Sequence, residues 1–394
     1  MRGADVGFVR ACAAVLAVAL TAVPFTGRVA AAEPVDLIAS VDAAVAARLA
    51  EMGAPGAIVG VSIPGQVDYL SAVGVSDLAT GEPMSVDDHW RIGSVTKTLT
   101  GTAVLQLVDQ GRISLSDPIS RYVDGVPSGD AITLDLLGRM RSGLFDYAED
   151  DGFLNRVYAE SPIGPDAFAL APRELLEIAF AHLPNFAPGA QYEYSNTNTV
   201  LLGLVVEKVT GQPLGDYLAQ NVYPRVGMTQ TSYPPNGLMP EPHSHGYTPL
   251  PSGGMVDATL WNPTWGDAAG RIVSNYPDVK SWAAALGKGS LLSPQTQAVR
   301  LQTAEVVPGG VSYGFAVFDA NGWIGHNGDI PGYTTVAAYL PARDATLVVF
   351  VNSDEPQEHA AGQLATVVTE ILTPEHVYRL GAAPPTASPD PAEG

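Results

Sequence analysis

Residues 93–97 read Gly93-Ser94-Val95-Thr96-Lys97 and open an apolar run, Val95, Leu99, Ala103 and Leu107, that stops at Gly111. The spacing predicts a helix over Val95–Gln110 with Ser94 at its start. A serine there lies near backbone N–H groups and the positive end of the helix dipole, which favour a developing anion. Positions i and i+3 share a helix face, so Lys97 can reach the Ser94 hydroxyl. A lysine held in a dry cleft loses proton affinity through desolvation and can then take the serine proton. Alone, the pattern also fits a capping serine beside an exposed lysine.

Outward from this helix, residues 36–52 carry helical spacing (Leu37, Val41, Val45, Leu49) and end at Gly53. Ala57–Ile63 and Val67–Val75 flank Pro64-Gly65 and predict a hairpin. From about 112 to 270 the pattern is helices broken by Pro/Gly loops. After 310 short β-like runs return: Tyr313–Phe318, Gly322–Gly325, Tyr333–Leu340 and Thr346–Val351. They predict an antiparallel meander, closed by a helix over Gln357–Leu372. Strands at both ends imply one sheet assembled from distant segments. The expected class is α/β (α+β), with an α/β lobe over about 33–93 and 271–380 and an inserted helical lobe over about 94–270. A cleft between the lobes is where a site belongs.

Two further stretches carry chemistry. Tyr194-Ser195-Asn196 precedes an apolar helix over Thr199–Val209. Ser195 and Asn196 fit helix capping, but a Tyr194 phenol near Ser94 could relay a proton. His326-Asn327-Gly328 follows the Trp323–Gly325 run. Gly328 permits close backbone approach, and on an edge strand the Asp329 N–H would join the Ser94 N–H in an oxyanion hole. A polar turn between strands accounts for the same residues.

Ser94-x-x-Lys97, Tyr194-x-Asn196 and His326-x-Gly328, in this order, resemble the three motifs of the serine β-lactamase and penicillin-binding superfamily. Tyr-x-Asn and the histidine of the third motif are similar to the class C β-lactamase and secreted D-alanyl-D-alanine carboxypeptidase branch. Met140–Tyr147 and Ala268-Ala269-Gly270 match further segments of it, and the likeness runs from about residue 40 to 372. The resemblance implies a β-lactamase/DD-peptidase-like fold with a central antiparallel sheet of about five strands flanked by helices. It implies Ser94 as nucleophile, Lys97 and Tyr194 sharing proton transfer, and Asn196 bonding the substrate's amide. His326 would line the cleft and add a donor or charge, beside Asn327, Gly328 and Asp329. The implied partner is a small-molecule or peptide acyl substrate, such as a peptidoglycan stem peptide or a β-lactam, with no cofactor or metal. Two departures bear on substrate: Asn327 replaces the usual threonine, and Tyr313–Ile324 holds no Arg or Lys to grip a terminal carboxylate. Arg141 and Arg271 are the substitutes to examine.

The remaining features narrow the class. A net charge of −21 over 394 residues repels phosphate backbones and anionic lipid, which excludes nucleic acid as a partner. Arg2 and Arg10, the short apolar run Ala11–Phe25 and Ala30-Ala31-Ala32 predict a signal peptide over residues 1–32, cleaved near Ala32. The mature protein is expected to be secreted, without a stable membrane anchor. Cys12, the single cysteine, would be lost with that segment, leaving neither disulfide nor thiol nucleophile. His243-Ser244-His245 reads as a solvated loop, and the Pro/Ala/Ser tail over 381–394 as disordered. Residues 33–380 are thus expected to form one serine hydrolase domain. D-alanyl-D-alanine carboxypeptidase-like activity is the leading expectation. A β-lactamase, a small-ester esterase and a penicillin-binding or sensing protein without turnover remain as alternatives.

Overall fold

The computed structural model describes residues 34–160, 168–307, 310–355 and 359–380. The expected signal peptide, the tail and Gln357, where the last helix was to begin, lie outside them. The chain runs α1 (Pro34–Met52), β1 (Gly56–Ile63), β2 (Val67–Asp77), β3 (Glu82–Pro83), β4 (His89–Arg91) and α2 (Thr96–Asp109). The helical stretch follows as α3 (Leu134–Gly138), α4 (Asp151–Glu160), α5 (Pro172–Phe180), α6 (Asn196–Thr210), α7 (Leu214–Asn221) and α8 (Tyr223–Val226). After β5 (Tyr247–Pro249) and β6 (Met255–Asp257) come α9 (Asp267–Gly270), β7 (Val273–Asn275), α10 (Tyr276–Lys288) and α11 (Pro294–Arg300). The chain closes with β8 (Ala304–Val307), β9 (Val311–Tyr313), β10 (Phe318–Ala320), β11 (Trp323–Ile330), β12 (Tyr333–Leu340), β13 (Ala345–Val351) and α12 (Ala360–Leu372).

Local chemistry explains the ends of these elements. Gln66 N donates to Ile63 O at 3.0 Å across Pro64-Gly65, and Gly65 holds φ +72°. Proline then glycine at a positive φ is the pairing that a tight type II turn demands. The helix α2 stops where Gly111 takes φ +67°.

The main sheet is antiparallel, in the order β3-β2-β1-β13-β12-β11-β10-β9-β8. Nine strands replace the expected five or so. The additions lie at the two margins and are two to four residues long, too short to display an alternation. The expected strand Tyr313–Phe318 is two strands, because Gly314 N donates back to Val317 O at 2.9 Å and closes a turn.

The sheet is covered on both faces. Ala57, Val59, Val61, Leu347, Val349 and Val351 face α1 and α12 through Val41, Val45, Leu364 and Val368. The alternate residues Ile58, Val348 and Phe350 face the larger core with α2, α6 and α10. Burial on both sides makes β13, Ala-Thr-Leu-Val-Val-Phe-Val, almost uniformly apolar although its neighbours are antiparallel. Every residue of α2 from Thr96 to Leu107 is buried, so the helix that begins beside Ser94 passes through the centre of the molecule.

Candidate active site

Ser94 sits in a 3-10 turn, Gly93–Val95, that leads into α2. Gly93 holds φ +51°, and a Cβ there would lie 2.9 Å from Asp329 N. A Cβ on Gly328 would lie 2.1 Å from Ile92 O and 3.0 Å from Ser94 N. Two glycines therefore let β11 press against the serine turn and bring the Ser94 and Asp329 amides side by side. An edge strand was the condition under which the Asp329 N–H would be free. β11 lies inside the sheet, between β10 and β12. β10 stops pairing at Gly325, so His326–Ile330 meets the serine turn where a neighbouring strand would otherwise run.

The polar network is short and closed. The Lys97 ammonium donates to Ser94 Oγ at 2.8 Å, Asn196 Oδ1 at 2.6 Å and Ala269 O at 2.9 Å. The Tyr194 hydroxyl donates to Ser94 Oγ at 2.9 Å. The Asn196 amide donates to Asp146 Oδ2 at 2.9 Å. Only one orientation of that amide satisfies a donor on one side and an acceptor on the other. Ala269 belongs to the Ala268-Ala269-Gly270 segment, whose part is to offer carbonyls: Ala268 O accepts from Thr100 Oγ1 at 2.8 Å. The loop that carries Asp146 is fastened to the start of α6. Thr197 Oγ1 donates to Phe145 O at 2.8 Å and accepts from Tyr147 N at 3.3 Å, and Ser142 bonds Asn198.

Burial sets the electrostatics. Lys97 has no exposed surface, so the exposed-lysine reading of the motif fails. Desolvation lowers its pKa to about 7 against the attraction of Asp146. Burial raises the Tyr194 phenol well above its usual range, and that side chain stays a neutral donor. His326 is 2% exposed, packed among Tyr194, Tyr313 and Phe318. Burial, then the charge of Lys97, lowers its pKa to about 3. His326 thus supplies no charge and lies beneath the wall, and Asn327 is the residue that reaches the cleft.

The cleft has a volume of about 560 Å³. Ser94, Tyr194, Asn196, Asn327 and Asp329 line it, joined by Tyr147, Tyr192, Trp265, Phe318 and Ile330. Sequence reasoning missed those aromatic residues, as well as Asp354 and His359. Asn196 faces the cleft but has both ends of its amide engaged, so one N–H remains for a substrate. His359, on the rim, is ion-paired with Asp329, and Asn327 Nδ2 stands 3.2 Å from its ring. Burial opposes charge on His359, but the Asp329 carboxylate outweighs it and raises the pKa. No Arg is among the described residues of the cleft. Arg141 bonds Gly189 O, and Arg271 bonds Pro234 O at 2.6 Å and covers the Tyr233 ring. Neither lines the cleft. Among the described residues no group of three His, Cys, Asp or Glu is placed to bind a metal ion, and no helix is long and apolar enough to cross a membrane.

The pattern of the family described as beta-lactamase matches residues 41–369. A D-stereospecific amidohydrolase from Streptomyces sp. superposes with a TM-score of 0.73 at 30% identity, over 85% of this chain and 98% of that one. A D-amino acid amidase from Ochrobactrum anthropi SV3 superposes with a TM-score of 0.75 at 25% identity, over 86% and 99%. In sequence, the putative penicillin-binding protein PbpX of Bacillus subtilis is 25% identical over 72% of this chain. Esterase EstB of Burkholderia gladioli is 34% identical over 50% of it. The chain spans 66% of the length of PbpX and 52% of that of EstB.

Proposed function

The chain belongs to the beta-lactamase family of serine hydrolases, and from that footing we propose that it hydrolyses small amides and esters through an acyl-enzyme on Ser94. The observation that carries this reading is the placement of Ser94 Oγ between Lys97 Nζ and the Tyr194 hydroxyl, at 2.8 and 2.9 Å. With Lys97 neutral, Ser94 Oγ–H donates to Nζ. Oγ attacks the carbonyl carbon as its proton passes to Nζ, and the oxyanion rests on the Ser94 and Asp329 amides. The C–N or C–O bond breaks as Lys97 gives up the proton it took, which passes through the Tyr194 hydroxyl to the leaving nitrogen or oxygen, and Lys97 is again a free amine. A water then attacks the acyl carbon and passes a proton back through Tyr194 to Lys97; the Oγ–acyl bond breaks, Ser94 Oγ recovers that proton from Lys97, and the acid leaves.

The cleft favours an uncharged, apolar or aromatic acyl group, because Tyr147, Tyr192, Trp265 and Phe318 line it. A D-alanyl-D-alanine carboxypeptidase must hold its substrate's free carboxylate. Among the described residues that line the cleft, His359 is the one basic side chain, and Asp329 is already paired with it. The amidase and esterase names of the relatives agree with this preference. Secretion, from the leader over residues 1–32, belongs to the same proposal. The test is a panel of D-phenylalanine amide, a nitrophenyl ester, a D-Ala-D-Ala peptide and a penicillin. Turnover of the amide or ester at least ten times faster than release of D-alanine is expected. Faster release of D-alanine would restore the carboxypeptidase, and single-turnover acylation by every substrate would make the protein a binder.

A further inference from the structure

We propose that Asp146 is the positioning residue of the general base: it aims the Asn196 amide at Lys97 and holds an opposite charge across that amide from the ammonium. The inference rests on the reading of Lys97 as the base for Ser94. Three observations lead to it. The Asp146 side chain is 5% exposed and has no Lys or Arg as a direct partner among the described residues, an unusual state for a carboxylate. Its two oxygens have separate tasks. Oδ1 accepts from Ala148 N at 3.0 Å and caps the turn Tyr147–Glu149, while Oδ2 accepts from Asn196. Beyond Asn196, at 2.6 Å from its Oδ1, stands the buried Lys97 ammonium. Capping needs only a hydroxyl or an amide oxygen. A carboxyl buried one amide away from a buried lysine is more than a cap requires: burial raises its pKa, and the hydrogen bonds from Ala148 and Asn196 together with the Lys97 charge draw it back toward the ionised form.

The chemistry follows from the reaction. When Lys97 takes the Ser94 proton, a cation appears where no water can solvate it. The groups that face it are Ser94 from its own turn, the Asn196 amide and the Tyr194 ring at the start of α6, the Ala269 carbonyl from α9 and neutral His326 from β11. The Tyr194 ring centroid is 4.9 Å from Nζ. None of these neighbours carries a negative charge; Asp146, one amide beyond, supplies the attraction that opposes the desolvation of Lys97, and the Lys97 charge in turn favours the Asp146 carboxylate against its own burial. Asp146 neither lines the cleft nor bonds Ser94, so it acts through Lys97.

Its test separates charge from cap. Asp146→Asn and Asp146→Ser both delete the charge, and serine keeps a capping oxygen. Asp146→Glu keeps the charge. The readout is the pH dependence of Ser94 labelling by a fluorophosphonate. Loss of the charge should move the acid limb down by about one pH unit and lower the plateau roughly threefold to tenfold, as a weaker base demands. The glutamate variant should keep the limb in place. A second readout does not depend on Ser94 at all. The protein has four lysines, so 13Cε-lysine labelling follows the Lys97 titration directly in each folded variant. An Asp146→Ser protein whose lysine titrates as the native one does would overturn the proposal and leave Asp146 a cap. Absence of any labelling in the native protein would instead contradict the nucleophile, while the lysine titration still decides the role of Asp146.

Discussion

Ser94 Oγ and Lys97 Nζ lie 2.8 Å apart with the lysine wholly buried, one turn along the helix that the serine opens. That distance is compatible with proton transfer only when the amine is free. With the Lys97 pKa lowered to about 7, the ammonium dominates below neutral pH and the free amine above it. The rate of acylation, kcat/KM, should therefore rise with pH through about 7 and fall about tenfold per pH unit below it. A profile flat from pH 5 to 9 would mean that Lys97 is not the group titrating. Lys97→Ala should lower kcat/KM by about 10²–10⁴-fold and remove that limb.

Tyr194 is the second partner of the Ser94 oxygen, and its phenol stays protonated because burial raises it. Tyr194→Phe keeps the ring and removes only the donor. Turnover of a nitrophenyl ester should drop about 10²-fold or more with KM little changed. Equal loss in KM and kcat, or none in either, would show that the hydroxyl carries no proton in the reaction.

Gly328 gives a purely steric test. Its missing Cβ would fall 2.1 Å from Ile92 O, so Gly328→Ala must push β11 away from the serine turn. The Asp329 amide moves with the strand. The expected loss is about 10²–10³-fold in kcat, the usual cost of one oxyanion donor, and it is measured on the folded variant beside its Tm.

These residues differ in how far the sequence discloses them. Ser94 and Lys97 are visible because a helix repeats every few residues and both lie within one turn. Tyr194 and His326 are visible only through the order of their motifs, since folding brings them in from about 100 and 230 residues away. Asp146 stands in a conspicuous segment, Met140–Tyr147, but its part depends on a hydrogen bond to a residue 50 positions later, which no periodicity encodes. The neutrality of His326 depends on Tyr313 and Phe318, which close over it from two short strands that read as one. The large sheet was legible in its long strands β1, β2, β12 and β13. Its margins were not, because a strand of three residues has no room for a pattern.

The core away from the cleft should behave independently of the chemistry. Leu364 is fully buried between α12 and the sheet. Leu364→Ala should cost about 2–5 kcal/mol in denaturant unfolding. Kinetics of the folded fraction should remain unchanged. A large change in kcat at equal folded concentration would mean that the α12 face is coupled to the site.

The covalent intermediate on Ser94 is the centre of this account, and mass spectrometry after rapid quenching reads it most directly. Mixed with a nitrophenyl ester and quenched within the first turnover, the protein should gain the mass of one acyl group. The peptide containing Ser94 should carry it, and Ser94→Ala should carry none. An adduct on any other residue, or hydrolysis that continues in Ser94→Ala, would contradict the assignment.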